Sequence, residues 1–181
     1  MTGDIPLAYF ITWTCYGTWL HGRAPGSVDA GHNRWGDPVL PPDPEREAEI
    51  LSRLAEPAYC LDAPSRQVVL RTLQEVSSHR GWRLLAAHVR SNHLHVIVHA
   101  QCTPDKVMAD YKAYCTRRLR EAGFEPDRCH RWTENGSKRY LWKPEPLQAA
   151  MRYVLDEQGE PMEVFVAGAE HLRELLSIAP R

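Results

Sequence analysis

The 181-residue chain lacks a charge surplus, a paired-cysteine pattern and any apolar run long enough to cross a bilayer, and each absence narrows what it can be. Its formal net charge is −1. That excludes attachment to nucleic acid by bulk basicity, although a local basic face disappears in such a sum. The five cysteines, Cys15, Cys60, Cys102, Cys115 and Cys129, are odd in number and contain no Cys-x-x-Cys pair. Neither a disulfide framework nor a zinc knuckle is indicated, and a reducing cytoplasm is the expected location. Met1 to Pro6 has no basic stretch leading into an apolar one, so neither export nor a membrane partner is expected. A phosphate-cradling Gly-x-x-x-x-Gly-Lys loop is also missing.

What remains suits one domain over residues 1–181, with 43% hydrophobic residues to build a core. Leu7 to Tyr16, with Tyr9, Phe10, Ile11 and Trp13, reads as a first strand. Residues 21–58 read as an insertion: a Gly-, Pro-, Asp- and Asn-rich loop from His21 to Pro44, then a short helix from Glu45 to Ala55. Asp62-Ala63-Pro64 opens a second helix with Val69, Leu73 and Val76 as its apolar stripe and Gly81 past its end. Trp82 to Val89 is a strand, and Ser91-Asn92 turns it into another beginning at His93. Thr103-Pro104-Asp105 starts a helix that carries Met108, Tyr111, Cys115 and Leu119 at helical spacing. Asn135-Gly136, between Arg131-Trp132-Thr133 and the segment Lys138 to Trp142, predicts a hairpin. Pro146 begins a helix through Gln158, and residues 160–181 form an extension with one more short helix from Ala167 to Ile178. The order is that of a split βαβ unit, an α+β ferredoxin-like sandwich whose antiparallel sheet carries helices on one face.

Within that frame the most informative stretch is His93-Leu94-His95-Val96-Ile97-Val98. Side chains two apart on a strand share a face, so both imidazoles point one way while Leu94, Val96 and Val98 enter the core. An isolated His-x-His serves equally well as a pair of half-exposed sheet residues, so the helix ending at Gln158 matters. Tyr153 and Glu157 stand one turn apart on it, beside the buried stripe Leu147, Met151 and Val154. Two imidazoles and a carboxylate make a three-ligand metal site, and a tyrosine one turn away sets its hydroxyl near whatever the metal polarises.

At these residues the chain resembles the single-tyrosine HUH transposases, in particular the REP-associated tyrosine transposases and their insertion-sequence relatives. The family's His-hydrophobic-His strand is matched by His93-Leu94-His95, and its nucleophilic tyrosine on a late helix by Tyr153. The opening Tyr9 to Thr14 is similar to the family's first strand. The resemblance implies a metal site of His93, His95 and Glu157, where the family usually has Gln or Asn in the last place, with Gln158 as the fallback ligand. It further implies a metal-dependent endonuclease and strand transferase of single-stranded DNA. Tyr153 would attack the scissile phosphate to give a 5′-phosphotyrosine, with Mg2+ or Mn2+ as the cofactor. Single-stranded or hairpin DNA is the expected partner, with a homodimer possible.

Candidates for DNA contact lie between Pro104 and Pro144, where ten Lys or Arg face six Asp or Glu. Arg117, Arg118, Arg131, Trp132, Lys138, Arg139, Tyr140, Trp142 and Lys143 combine basic and aromatic side chains in the mixture that tracks phosphates and stacks bases. Each is equally open to a plain role in the core or on a solvated surface. Tyr111 and Tyr114 are rival nucleophiles, ranked below Tyr153. A non-catalytic single-strand or hairpin binder on the same fold is the alternative. A histidine-triad hydrolase fails because Ile97 stands where its third histidine belongs.

Overall fold

The computed structural model describes residues 5–19 and 43–170. Most of the expected His21–Pro44 loop, and the expected Ala167–Ile178 helix beyond residue 170, lie outside the described residues. The elements are β1 (Ala8–Thr14), α1 (Pro44–Ser52), α2 (Ala63–Arg80), β2 (Arg83–Val89), β3 (His93–His99), α3 (Pro104–Glu121), β4 (Ser137–Leu141), α4 (Pro144–Asp156) and β5 (Glu163–Val166). Helix ends follow local chemistry. Asp62 accepts the Ser65 amide at 2.9 Å to cap α2, and Gly81, at φ 67°, closes it in the left-handed conformation that glycine adopts without strain. Thr103 caps α3, with Pro104 in the first turn, where a missing N–H costs no bond.

The strands form one antiparallel sheet in the order β4-β1-β3-β2-β5. Its first four strands have the ferredoxin-like order expected from the sequence, and β5 adds an edge that the sequence reading did not contain. Strand alternation divides the interior in two. Tyr9, Ile11, Trp13, Leu94, Val96 and Val98 face α2 and α3, meeting Val69, Leu73, Tyr111 and Leu119 in the larger core. Ala8, Phe10, Ala86 and Ile97 face the other way and are covered by α4 through Leu147, Ala150 and Val154. So α2 and α3 share one face, while α4 lies across the face to which His93 and His95 belong.

The expected hairpin at Asn135-Gly136 is not formed. Residues 131–133 and β4 both run along the same edge of β1, one after the other. Tyr16 donates its amide to Arg131 O (2.9 Å), Thr133 donates to Thr14 O (3.0 Å), and β4 then pairs Ser137 with Thr12 through Leu141 with Ala8. The Asn-Gly stretch is a jog in one interrupted strand. A Cβ on Gly136 would sit 2.5 Å from Thr12 O and 2.8 Å from Met108 Sδ, so no side chain fits there. The Lys112 ammonium secures the jog, donating to the carbonyls of Thr133 (2.8 Å), Glu134 (3.0 Å) and Asn135 (3.3 Å).

Candidate functional site

His93 and His95 sit side by side on β3 with ring centroids 4.8 Å apart. Each has its Nδ1 engaged: His93 donates to Asn92 Oδ1 at 2.7 Å, and His95 Nδ1 lies 2.7 Å from Thr12 Oγ1 on the neighbouring strand. The amide oxygen can only accept, so the His93 proton is on Nδ1 and its Nε2 keeps a lone pair. Burial pushes the His95 imidazole down to about 3, the neighbouring His93 adding to the effect. Burial, then the Arg90 charge, also holds His93 below the ordinary imidazole range. Both rings are therefore neutral at physiological pH, the form in which imidazole binds metal.

Tyr153 meets this pair from α4. Its ring centroid is 5.5 Å from that of His95 and 6.0 Å from Phe10, and the side chain is 41% exposed. Its hydroxyl has no hydrogen-bond partner among the described residues, so the oxygen is open to an incoming group. Gln158, not Glu157, reaches the histidines. The helix ends at Asp156, Glu157 is the C-cap residue with its carboxylate in solvent, and the turn that follows swings Gln158 inward. Gln158 Oε1 stands 3.0 Å from His95 Nε2 while its Nε2 donates to Tyr153 O at 3.1 Å. That carbonyl can only accept, which fixes the amide's orientation with oxygen toward the histidine.

Among the described residues no three His, Cys, Asp or Glu side chains converge, so Glu157 does not complete a cluster with the histidines. The donors brought together are two neutral imidazoles and one amide oxygen. That mixture fits a divalent ion of the manganese or magnesium kind when further oxygens come from substrate or water. Thr12 suits such a site because its hydroxyl can accept from His95 Nδ1–H as readily as donate to it, freeing Nε2.

The residues expected to touch DNA separate into three groups. Arg131 is 2% exposed, and its guanidinium donates to Tyr59 Oη (2.8 Å) and to the carbonyls of Phe124 and Glu125 (both 2.6 Å); Trp132 turns inward, its indole N–H donating to Lys112 O and Thr116 Oγ1. Arg117 lies over the Tyr114 ring, and Arg118 pairs with Glu75 and Glu121. Both stand on α3, on the other side of the sheet from the histidines. The third group occupies β4 and its exit: Arg139 is opposite Phe10 on the histidine side, whereas Lys138 and Tyr140 project to the other. Tyr140 and Trp142, each about half exposed, stack with centroids 6.1 Å apart and planes 12° from parallel. Lys143 follows as the exposed N-cap residue of α4. Of the rival tyrosines, Tyr111 is fully buried and bonded to Ser77 at 2.7 Å.

A family model described as an IS200-like transposase matches residues 56–154, more than half of the chain, spanning both histidines and Tyr153 but ending before Gln158. Among solved structures, a REP-associated tyrosine transposase bound to a REP hairpin is 10% identical with a TM-score of 0.47, over 83% of this chain and 66% of that one. This chain therefore spans just under two thirds of that relative. A candidate transposase from Deinococcus radiodurans R1 is 15% identical with a TM-score of 0.45, over 87% of this chain and 95% of that one. Curated proteins yield no match.

Proposed function

This chain belongs to the IS200-like transposase family, and on that premise we propose that it is a metal-dependent endonuclease and strand transferase of single-stranded DNA, acting through Tyr153. The observation that carries the reading is the convergence of Tyr153, His93, His95 and Gln158 at one end of the α4 face, from two stretches of chain remote in sequence, β3 and the end of α4 with the turn after it.

In this reading Tyr153 Oη attacks the scissile phosphorus. The new O–P bond forms as the bond to the 3′ oxygen breaks, the phenolic proton passes to solvent, and the departing 3′ oxygen takes up a proton as a hydroxyl. The phosphate remains on Tyr153 as a phosphodiester, so attack by another strand's 3′-hydroxyl restores a DNA backbone without external energy. His93 and His95 through Nε2, with Gln158 through Oε1, are the groups that would hold a divalent ion. Such an ion would supply Lewis-acid polarisation of the phosphate. The open hydroxyl of Tyr153 and its packing on Phe10 and His95 aim the nucleophile without a hydrogen bond that would need breaking. Arg139 stands on the same side as the histidines and is suited to a phosphate of the strand entering there. Tyr140 and Trp142 offer a stacking surface that favours unpaired bases, so single strands, or hairpins with unpaired flanks, are the preferred partners.

The test is incubation of the full chain with manganese and an end-labelled hairpin bearing unpaired flanks, followed by a denaturing gel. A protease-sensitive adduct that needs the metal and disappears in Tyr153→Phe supports the reading. An adduct that persists in Tyr153→Phe, or hairpin binding without cleavage at any metal concentration, overturns it, the latter in favour of a non-catalytic binder.

A further inference from the structure

Beneath the end of α4 lies a third imidazole that neither the metal-binding nor the nucleophilic role uses. His88, on β2, is opposite His95 in the β2–β3 register and is fully buried. Its Nδ1 lies 2.9 Å from Val154 O, one of the C-terminal helix carbonyls that α4 cannot satisfy internally. Its Nε2 accepts the amide of Met162 at 3.2 Å. A carbonyl cannot donate, so Nδ1 carries the proton and Nε2 the lone pair. One tautomer meets both demands, and a buried ring with both nitrogens satisfied has a defined orientation.

The two partners of His88 bracket the segment that matters. Val154 follows Tyr153 directly, and Met162 immediately precedes β5, whose Val164 pairs with His88 itself. Between them the chain carries Gln158, whose amide bridges Tyr153 O and His95 Nε2. Gly159, at φ 72°, turns this segment, and Arg90 donates to Glu160 O at 3.2 Å. Besides the two bonds to His88, the segment is tied down by the Arg90–Glu160 bond and the β5–β2 ladder that follows it, and among the described residues His88 is the one side chain that bonds to both its ends.

We propose that His88 is a positioning residue: it clamps residues 154 and 162 to β2, and thereby holds Gln158 against His95 and the end of α4 beneath Tyr153. Its connection to metal binding rests on the reading that Gln158 is a ligand, whereas its effect on the Gln158–His95 bond does not.

The experiment is nitrogen-15 NMR of the histidines in the metal-free full chain, together with manganese titration calorimetry. The parent is expected to show His88 protonated on Nδ1 with a through-bond coupling from Met162 N to His88 Nε2, and His95 protonated on Nε2. His88→Phe is expected to lose the protected His95 Nε2–H signal and to bind manganese about 10- to 100-fold more weakly, the usual range for removing an outer-shell partner. His88→Gln, whose amide reaches toward Met162, is expected to recover part of both. In a Gln158→Ala background His88→Phe is expected to cost no further affinity, because the two act in series. The proposal is overturned if the parent's His88 carries its proton on Nε2, a measurement that needs no variant. It is also overturned if a folded His88→Phe protein keeps both the His95 signal and the parent's affinity. If the His95 signal depends on His88 but Gln158→Ala leaves manganese affinity unchanged, the clamp is supported and the ligand set proposed above fails instead.

Discussion

On one face of the sheet, α2 and α3 lie over Tyr9, Ile11, Trp13, Leu94, Val96 and Val98, and the buried hydroxyls of Ser77 and Tyr111 are bonded to each other. On the other, one thirteen-residue helix among the described residues covers Phe10, Ala86 and Ile97, and beside this smaller core stand three neutral imidazoles, His88, His93 and His95. The same strands build both. Two helices over one face build the larger core, and the opposite face keeps these polar rings beside the smaller one. The helix that covers this second face ends beside the proposed site, so its termination, rather than its packing, brings Gln158 to His95.

Substitutions on the two faces should therefore separate stability from activity. The largest contrast is between Tyr153→Phe and Leu94→Ala. The first is expected to abolish covalent attachment to DNA with little change in the urea midpoint, because the exposed ring keeps its packing. The second is expected to lower stability by about 2 to 5 kcal/mol by opening a cavity under α2 and α3. Comparable stability losses in the two variants would erase the distinction between the faces.

The histidine face should also respond to acid in a way the other cannot. A histidine that stays neutral in the folded chain but titrates near 6.5 when unfolded binds more protons unfolded, so stability falls as pH drops below about 6.5 and is flat above it. With His95 held down to about 3, this single group removes about 2 kcal/mol by pH 5. His88 and His93, both shifted downward mainly by burial, act in the same direction. Urea unfolding at pH 7.5 and 5.0 measures the effect, and His95→Phe should shrink it. Equal stability at the two pH values would mean that these rings are not held neutral.

Gly136→Ala probes the jog that lets residues 131–133 and β4 share one edge of β1. The clash with Thr12 O is expected to cost about 1 to 3 kcal/mol, the usual range for overpacking. A neutral result in thermal unfolding would show that the jog has room to move. The smallest effect is expected at Glu157→Ala, which should leave manganese affinity within about twofold because the exposed carboxylate acts only as a distant charge. A loss as large as that of Gln158→Ala would return Glu157 to the ligand set.

Much of this was legible in the residues. The alternation around His93-Leu94-His95 forecast which side chains enter the larger core, and Asp62, Gly81 and Thr103 marked helix ends through backbone groups that need local partners. The β5 edge was not legible, nor were three further features. The Asn-Gly stretch carries a strong hairpin signal, but the ladder with β1 and the Lys112 ammonium hold it as a jog, and both partners are remote in sequence. The choice of Gln158 over Glu157 depends on a helix stopping at Asp156, two residues before the stop assigned from Gly159 and Pro161. That shift moves a side chain from solvent to the site. His88 gave no sign in the sequence, since its partners lie 66 and 74 residues away.

The most direct test of a shared site for Tyr153 and the two histidines is to trap the manganese-dependent DNA adduct, digest it with protease and nuclease, and locate the nucleotide by mass spectrometry. The account expects a 5′-phosphorylated nucleotide on the peptide bearing Tyr153, with no adduct formed by a His93→Ala, His95→Ala double variant. A nucleotide on Tyr114 or any other residue, or undiminished adduct in the double variant, would contradict it.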